Sequence, residues 1–196
     1  MNTFSEIGIY LIQATVSLYL LIVLLRFLLQ LCRANFFNPV SQFVVKATAP
    51  PLAPLQKIFP AFNTFNSAAL ALALLLQILA IQGSMLIYSG NLLPVTLLLA
   101  WSAIGIGSML INIYLYGLLI AIVLSWIAPQ SQHPAIALIW QLADPIMSPF
   151  RKILPPMGGL DFSPILILLL LNVLRIVITN LAQATHLPPL IVPGIM

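Results

Sequence analysis

Between Lys57 and Asp144 the chain carries no Asp, Glu, Lys or Arg. A water-soluble fold cannot be built around such a stretch. Soluble domains carry about 25% charged residues. A charge-free run of about 10–14 residues fits a buried helix, whereas a bilayer span needs about 20. Across the 196 residues, 62% are hydrophobic and 5% are charged. A single soluble domain is therefore excluded, and the chain reads as an integral membrane protein. Its net charge of +4 rests on seven basic residues, too few for a nucleic-acid surface. They act instead as orientation signals, because Lys and Arg accumulate in cytoplasmic loops. The single cysteine, Cys32, allows neither an internal disulfide nor a metal-binding cluster. The first apolar run is too long for a signal peptide and ends in arginines, so it is expected to stay as a span.

A repeat organises the rest. Pro50–Pro60 reads PPLAPLQKIFP, and Pro145–Pro155 reads PIMSPFRKILP, 95 positions later. Both fit Pro-x3-Pro-x2-Lys-Ile-x-Pro. Each follows a short segment opened by a polar residue and proline, Asn38-Pro39 and His133-Pro134, again 95 apart. Asn38 suits a helix cap, and Pro39 suits the first helical position. The segment 38–49 is predicted to be a short interfacial helix with Val40, Phe43, Val44 and Ala47 on its apolar face. Proline cannot continue the helical ladder, so the helix is expected to stop at Pro50-Pro51. An extended turn anchored by Lys57 would follow. The segment 133–143 is its counterpart, with Trp140 at the interface.

Spans are predicted at about 7–31, 66–89, 92–128 and 162–182. The third candidate is long: 37 residues make roughly 55 Å of helix at 1.5 Å per residue, against a hydrocarbon core of about 30 Å. It is either one protruding helix or two spans broken near Gly105-Ile106-Gly107. The repeat aligns 7–31 with 102–126 and 66–89 with 161–186. Six of the seven basic residues (Arg26, Arg33, Lys46, Lys57, Arg151, Lys152) flank or occupy the two proline segments. Four spans put both segments on one side, cytoplasmic by the positive-inside rule, with the termini outside. Five spans, the alternative, would put them on opposite sides. The expected fold is an all-α membrane protein with a first unit at 1–90, a second at 91–187 and an irregular outer tail at 188–196. Gly117, Ala121 and Ser125 form a small-residue ridge on the third span, suited to close helix contact.

The tandem pattern resembles the YggT family of small bacterial membrane proteins. The residues that carry it are Asn38-Pro39, Pro50, Pro54, Lys57, Ile58 and Pro60 in the first copy. In the second they are His133-Pro134, Asp144-Pro145, Pro149, Arg151-Lys152, Pro155, Gly158-Gly159, Asp161, Ser163 and Pro164. The first copy departs where Ala49, Gln56 and Asn66 stand for Asp, Arg and Asp. The resemblance implies roles in membrane organisation or complex assembly. Bacterial relatives are linked to osmotic tolerance and potassium homeostasis, and plastid relatives to cytochrome b6 haem attachment and nucleoid distribution. No established reaction comes with it.

The residues themselves give two candidate sites. Lys57, Arg151 and Lys152, with Asp144 and Asp161, could contact anionic lipid headgroups or a membrane-protein partner. Arg175 lies inside a span, where a charge marks a functional position. It is expected either to reach the outer interface, pairing with Glu6, or to face Asn112, Asn172 or Gln77 in a polar interior. Two carboxylates without a nucleophile or metal set do not make a catalytic centre. His133 reads as a helix-start residue matching Asn38. No enzyme activity and no cofactor are expected. The predicted function is a non-enzymatic inner-membrane scaffold or assembly factor in membrane organisation or osmotic tolerance. An oligomeric channel or transport component is the alternative.

Overall fold

The structure, a computed structural model, describes residues 3–153, 161–188 and 191–194. Pro155 and Gly158-Gly159 of the repeat motif lie outside the described residues. Among the described residues six helices follow one another: α1 Thr3–Leu31, α2 Pro39–Ile58, α3 Ser67–Ser89, α4 Val95–Ile127, α5 Pro134–Ile153 and α6 Ser163–Ala184. Four of them, α1, α3, α4 and α6, are long and apolar enough to cross a membrane. The connecting helices α2 and α5 begin 95 positions apart and end 95 positions apart. The span α4 is one unbroken helix through Gly105 and Gly107, so the five-span alternative falls.

The prolines correct the expected breaks. The helix α2 does not stop at Pro50-Pro51 but carries Pro50, Pro51 and Pro54 inside it, and α5 carries Pro145 and Pro149. Each internal proline deprives the carbonyl four residues earlier of its donor. Pro51 orphans the carbonyl of Ala47, and the Tyr19 hydroxyl of α1 donates to that oxygen at 3.1 Å. A neighbouring helix thus supplies the donor that the local sequence removes, which local propensity could not foresee. The repeat supplies a control. The counterpart of Pro51 is Ile146, which keeps its N–H, and the counterpart of Tyr19 is Tyr114. The Tyr114 hydroxyl lies 3.9 Å from Cys32 Sγ instead.

The side of α2 that packs on the bundle is not its apolar face. Ser41, Val44, Thr48 and Leu52 face inward, while Val40 and Phe43 are exposed. The hydroxyl of Thr48 is accommodated by donating back to the Val44 carbonyl at 2.7 Å.

The tightest packing joins α1 to α3. Leu20, Val23, Leu24 and Phe27 of α1 mesh with Ala68, Ala69, Leu72 and Ala73 of α3, and Leu52 of α2 closes one end. Small residues on α3 let the backbones approach, which matters in lipid, where surrounding chains are as apolar as Leu. A second cluster joins Leu115, Leu118 and Ala121 of α4 to Ala143 and Met147 of α5 and Ile167 and Leu171 of α6. The two repeats meet along α3 and α4, and again where α2 packs on α5. At that second contact Asn38 Nδ2 donates to the Pro134 carbonyl at 2.7 Å, and the Asn35 N–H to Gln141 Oε1 at 2.8 Å. Both proline-bearing helices therefore sit at the same end of the bundle.

The tail departs most from expectation. Leu187, Ile191, Val192 and Pro193 are buried. They pack with Ile81 of α3, Trp101 and Ile104 of α4 and Ala182 of α6. Residues 187–188 and 191–194 fold back into the bundle and do not hang outside it.

Candidate functional site

The end of the bundle that holds α2 and α5 is the charged end. Asn38 caps α2, its Oδ1 accepting from the Val40 N–H at 2.9 Å. His133 does the same for α5, its Nδ1 accepting from the Ala135 N–H at 3.3 Å. Pro39 and Pro134 each fill the first helical position. Pro60 follows α2, and its carbonyl accepts from the Ser67 hydroxyl at 2.8 Å, tying the exit of α2 to the start of α3. Lys46, Lys57 and Lys152 are exposed around this scaffold. Arg26 is half-buried, and its Nε and Nη1 meet no acceptor among the described residues.

Arg151 is not a free cation. Its Nε donates to Asp161 Oδ2 at 2.9 Å and its Nη1 to Asp144 Oδ1 at 3.2 Å. The other oxygen of Asp161 accepts from the Ser163 N–H at 2.9 Å, at the first residue of α6. One guanidinium thus clasps the end of α5 to the start of α6. Burial alone would push the Asp161 carboxyl up, but the bonds from Arg151 and Ser163 hold it below the usual carboxylate range. Arg151 is held up chiefly by its hydrogen bond to Asp161. The first repeat replaces all three groups with Ala49, Gln56 and Asn66. There Asn66 does the joining as a neutral group. Its Nδ2 donates to Gln30 Oε1 at 2.8 Å, and its Oδ1 accepts from the Ala69 N–H at 3.0 Å. Cys32 lies at this end too, its thiol pushed up by burial.

The second candidate group does not come together. Arg175 is exposed on α6, and so is Asn172, whose Nδ2 donates to its own helix at the Leu168 carbonyl, 2.8 Å away. Arg175 pairs with neither Glu6 nor Asn112 among the described residues. Gln77 and Asn112 instead hold the tail. Gln77 Nε2 donates to the Pro193 carbonyl at 2.9 Å, and Asn112 Nδ2 to the Gly194 carbonyl at 3.2 Å. Two further residues complete this cradle. Ser108 Oγ donates to the Gly194 carbonyl at 2.8 Å, and Gln13 Nε2 to the Ile191 carbonyl and to Ser84 Oγ. The backbone of the tail is irregular, and irregular backbone at membrane depth needs protein donors around it. Gln13 and Ser108 were legible only as isolated polar residues midway along apolar spans. Gly105 is required here for space: a Cβ would meet Val192 Cγ1 at 2.7 Å and overlap the Gln77 amide.

Beside the tail lies a groove of about 520 Å³ between α1 and α6, floored by α4 and closed at one end by α5. Its walls are almost wholly apolar, and Asn112 and Gly194 stand at its tail end. Gly117 opens onto it, so the small-residue ridge of α4 has no close neighbour at that point.

Two units, each a span, a proline-bearing connecting helix and a second span, define a multi-pass helical membrane protein. The CCB3/YggT family model matches it twice, at residues 5–86 and 100–182, and the chain belongs to that family. It is 47% identical over 183 residues to an uncharacterized protein of Pseudomonas aeruginosa, covering 92% of this chain and 93% of that one. It is 35% identical over 199 residues to the uncharacterized protein YggT of Escherichia coli K12, covering 100% of this chain and 98% of that one. A shorter match, 42% over 62 residues, covers 32% of this chain and 24% of the chloroplastic YlmG homolog protein 2 of Arabidopsis thaliana. No solved structure matches.

Proposed function

We propose that this protein is a non-enzymatic scaffold or assembly factor of the bacterial inner membrane, acting in membrane organisation or osmotic tolerance. The observation that carries the reading is the pairing of α2 and α5 at one end, where exposed Lys46, Lys57 and Lys152 surround a rigid proline-bearing platform. Positive residues beside spans orient the chain, so this end is cytoplasmic, and the opposite end, with the start of α1 and the end of α6, is periplasmic. The platform lies along the headgroups and presents its lysines to anionic lipid or to the acidic segment of a membrane-protein partner. Arg151 serves the platform by clasping α5 to α6, and its charge is already matched by Asp144 and Asp161. The informative variant therefore replaces Lys46, Lys57 and Lys152 with Gln and spares Arg151. Loss of partner recovery in a crosslinked pull-down, with insertion intact, is the expected result. Undiminished recovery would refute the reading.

A channel or transport component is the second reading, favoured by the polar side chains Gln13, Gln77, Ser108 and Asn112 at mid-bundle. All four are engaged by the tail, so conduction would require its withdrawal. Ion flux in liposomes that appears when Ile191 and Val192 are changed to Asp would support it, and tight liposomes would remove it.

A further inference from the structure

We infer that two copies of this chain associate through α6 of one and α1 of the other, joined by an ion pair between Arg175 and Glu6. Eight of the ten charged residues lie on or beside the connecting helices α2 and α5. Glu6 and Arg175 are the two that do not. Glu6 is in the first turn of α1 and Arg175 in the last half of α6, so both belong to the opposite half of the bundle. Both are exposed, and neither has an ion-pair partner among the described residues.

The exposed stripe on α6 is polar beyond its charge. Asn172, Arg175 and Thr179 recur at i, i+3 and i+7, so they share one face of the helix. A lipid-facing helix does not ordinarily carry such a stripe, because polar side chains within spans face protein or water. The facing surface on α1 is also exposed, with Phe4, Ile7, Tyr10 and Leu11 around Glu6.

The repeat shows what covers these faces. Within one chain the second helix of the first unit packs on the first helix of the second unit, α3 on α4. The corresponding contact at the other edge would join α6 to α1. Inside one chain α6 and α1 share no comparable packing, and the groove lies between them. At the spacing of 95, the counterpart of Glu6 is Trp101 and that of Arg175 is Ala80. Both counterparts are buried, Trp101 at 4% and Ala80 at 1% exposure, and Trp101 packs with Ile81 where α3 meets α4. Trp101 is covered there by Ile81 together with Leu187, Ile191 and Val192, so Glu6 holds a position that the fold buries when a neighbour is present. A second copy supplies that neighbour, and a two-fold arrangement forms the pair twice. Arg175 stands deeper than Glu6, and its long side chain reaches toward the end of the span to meet it.

The test uses the full chain in native membranes with Cys32→Ser. Tyr10→Cys in one copy and Ile176→Cys in another, co-expressed, should give a disulfide-linked dimer. Glu6→Arg or Arg175→Glu alone should cut that product about tenfold, the equivalent of about 1.4 kcal/mol. The two changes together in one chain should restore it, and this recovery separates a lost contact from a misfolded chain. A protein that yields no Tyr10–Ile176 crosslink overturns the inference. So does a crosslink that neither charge change alters, or a double variant that stays uncoupled while inserted normally.

Discussion

Tyr19→Phe is the sharpest probe of how this fold keeps prolines inside a helix. In the wild-type chain Pro51 removes the N–H that would serve the Ala47 carbonyl, and the Tyr19 hydroxyl serves it at 3.1 Å. Deleting the hydroxyl leaves a part-buried acceptor unpaired. An unsatisfied buried group costs about 1–3 kcal/mol, and partial burial places this one near the lower figure. The expected loss is about 1 kcal/mol, or about 2–4 °C in Tm for a chain of this size. The same change in a Pro51→Ala background should cost almost nothing, because that substitution restores the intrahelical donor. The double-mutant cycle should therefore show a coupling of about 1 kcal/mol. Tyr114→Phe is the internal control: its hydroxyl faces only a sulfur at 3.9 Å, and its helix neighbour Ile146 keeps its N–H. Thermal unfolding in mild detergent, followed by circular dichroism, measures the wild type, the three variants of the cycle and the Tyr114→Phe control. Additive losses in the cycle, or an equal loss at Tyr114, would refute the account of Tyr19 as a replacement donor.

Three further outcomes follow from the geometry. Gly105→Ala should displace the tail, since its Cβ would meet Val192 at 2.7 Å; an overpacking loss of about 1–3 kcal/mol and faster proteolysis beyond residue 186 are the readouts. Asp161 has a folded-state affinity for protons lowered by Arg151 and Ser163, so its contribution is present above the ordinary carboxylate range of about 4 and is lost as pH falls below it. Wild type should lose stability through that window more steeply than Asp161→Asn, measured as Tm against pH. Cys32, whose thiol burial pushes up, should react slowly with maleimide at neutral pH, and Tyr114→Phe should leave that rate within about threefold of the wild-type value.

The sequence carried the architecture because hydrocarbon imposes a length and a composition on every span. The charge-free stretch between Lys57 and Asp144 and the repeat spacing of 95 led to four spans and to proline segments at a shared end. The helix caps at Asn38 and His133 were legible for the same local reason. What failed was anything decided by a distant neighbour. Pro50 and Pro51 read as a stop because proline breaks a ladder, and a contact with Tyr19 of another helix is what serves the Ala47 carbonyl that Pro51 strips. The burial of Ser41 and Thr48 was hidden likewise, since hydropathy cannot tell a face turned to lipid from a face turned to protein. Gln77 and Asn112 stand out as polar residues in spans, but they do not face Arg175: their partners are backbone carbonyls that no side-chain pattern encodes. The site shared this division. The ingredients of the Asp144–Arg151–Asp161 clasp were visible, and its role in joining α5 to α6 was not.

The return of residues 191–194 into the bundle separates two events in the protein's biogenesis. Four apolar helices can enter the bilayer one after another, as their hydropathy directs. They cannot finish together, because Gln13, Gln77, Ser108 and Asn112 have their acceptors on a segment that follows all four. Until residues 191–194 are in place, these side chains lack the tail carbonyls to which they donate in the folded chain. Maturation of this protein is therefore a closure, made from within the membrane by its own downstream chain.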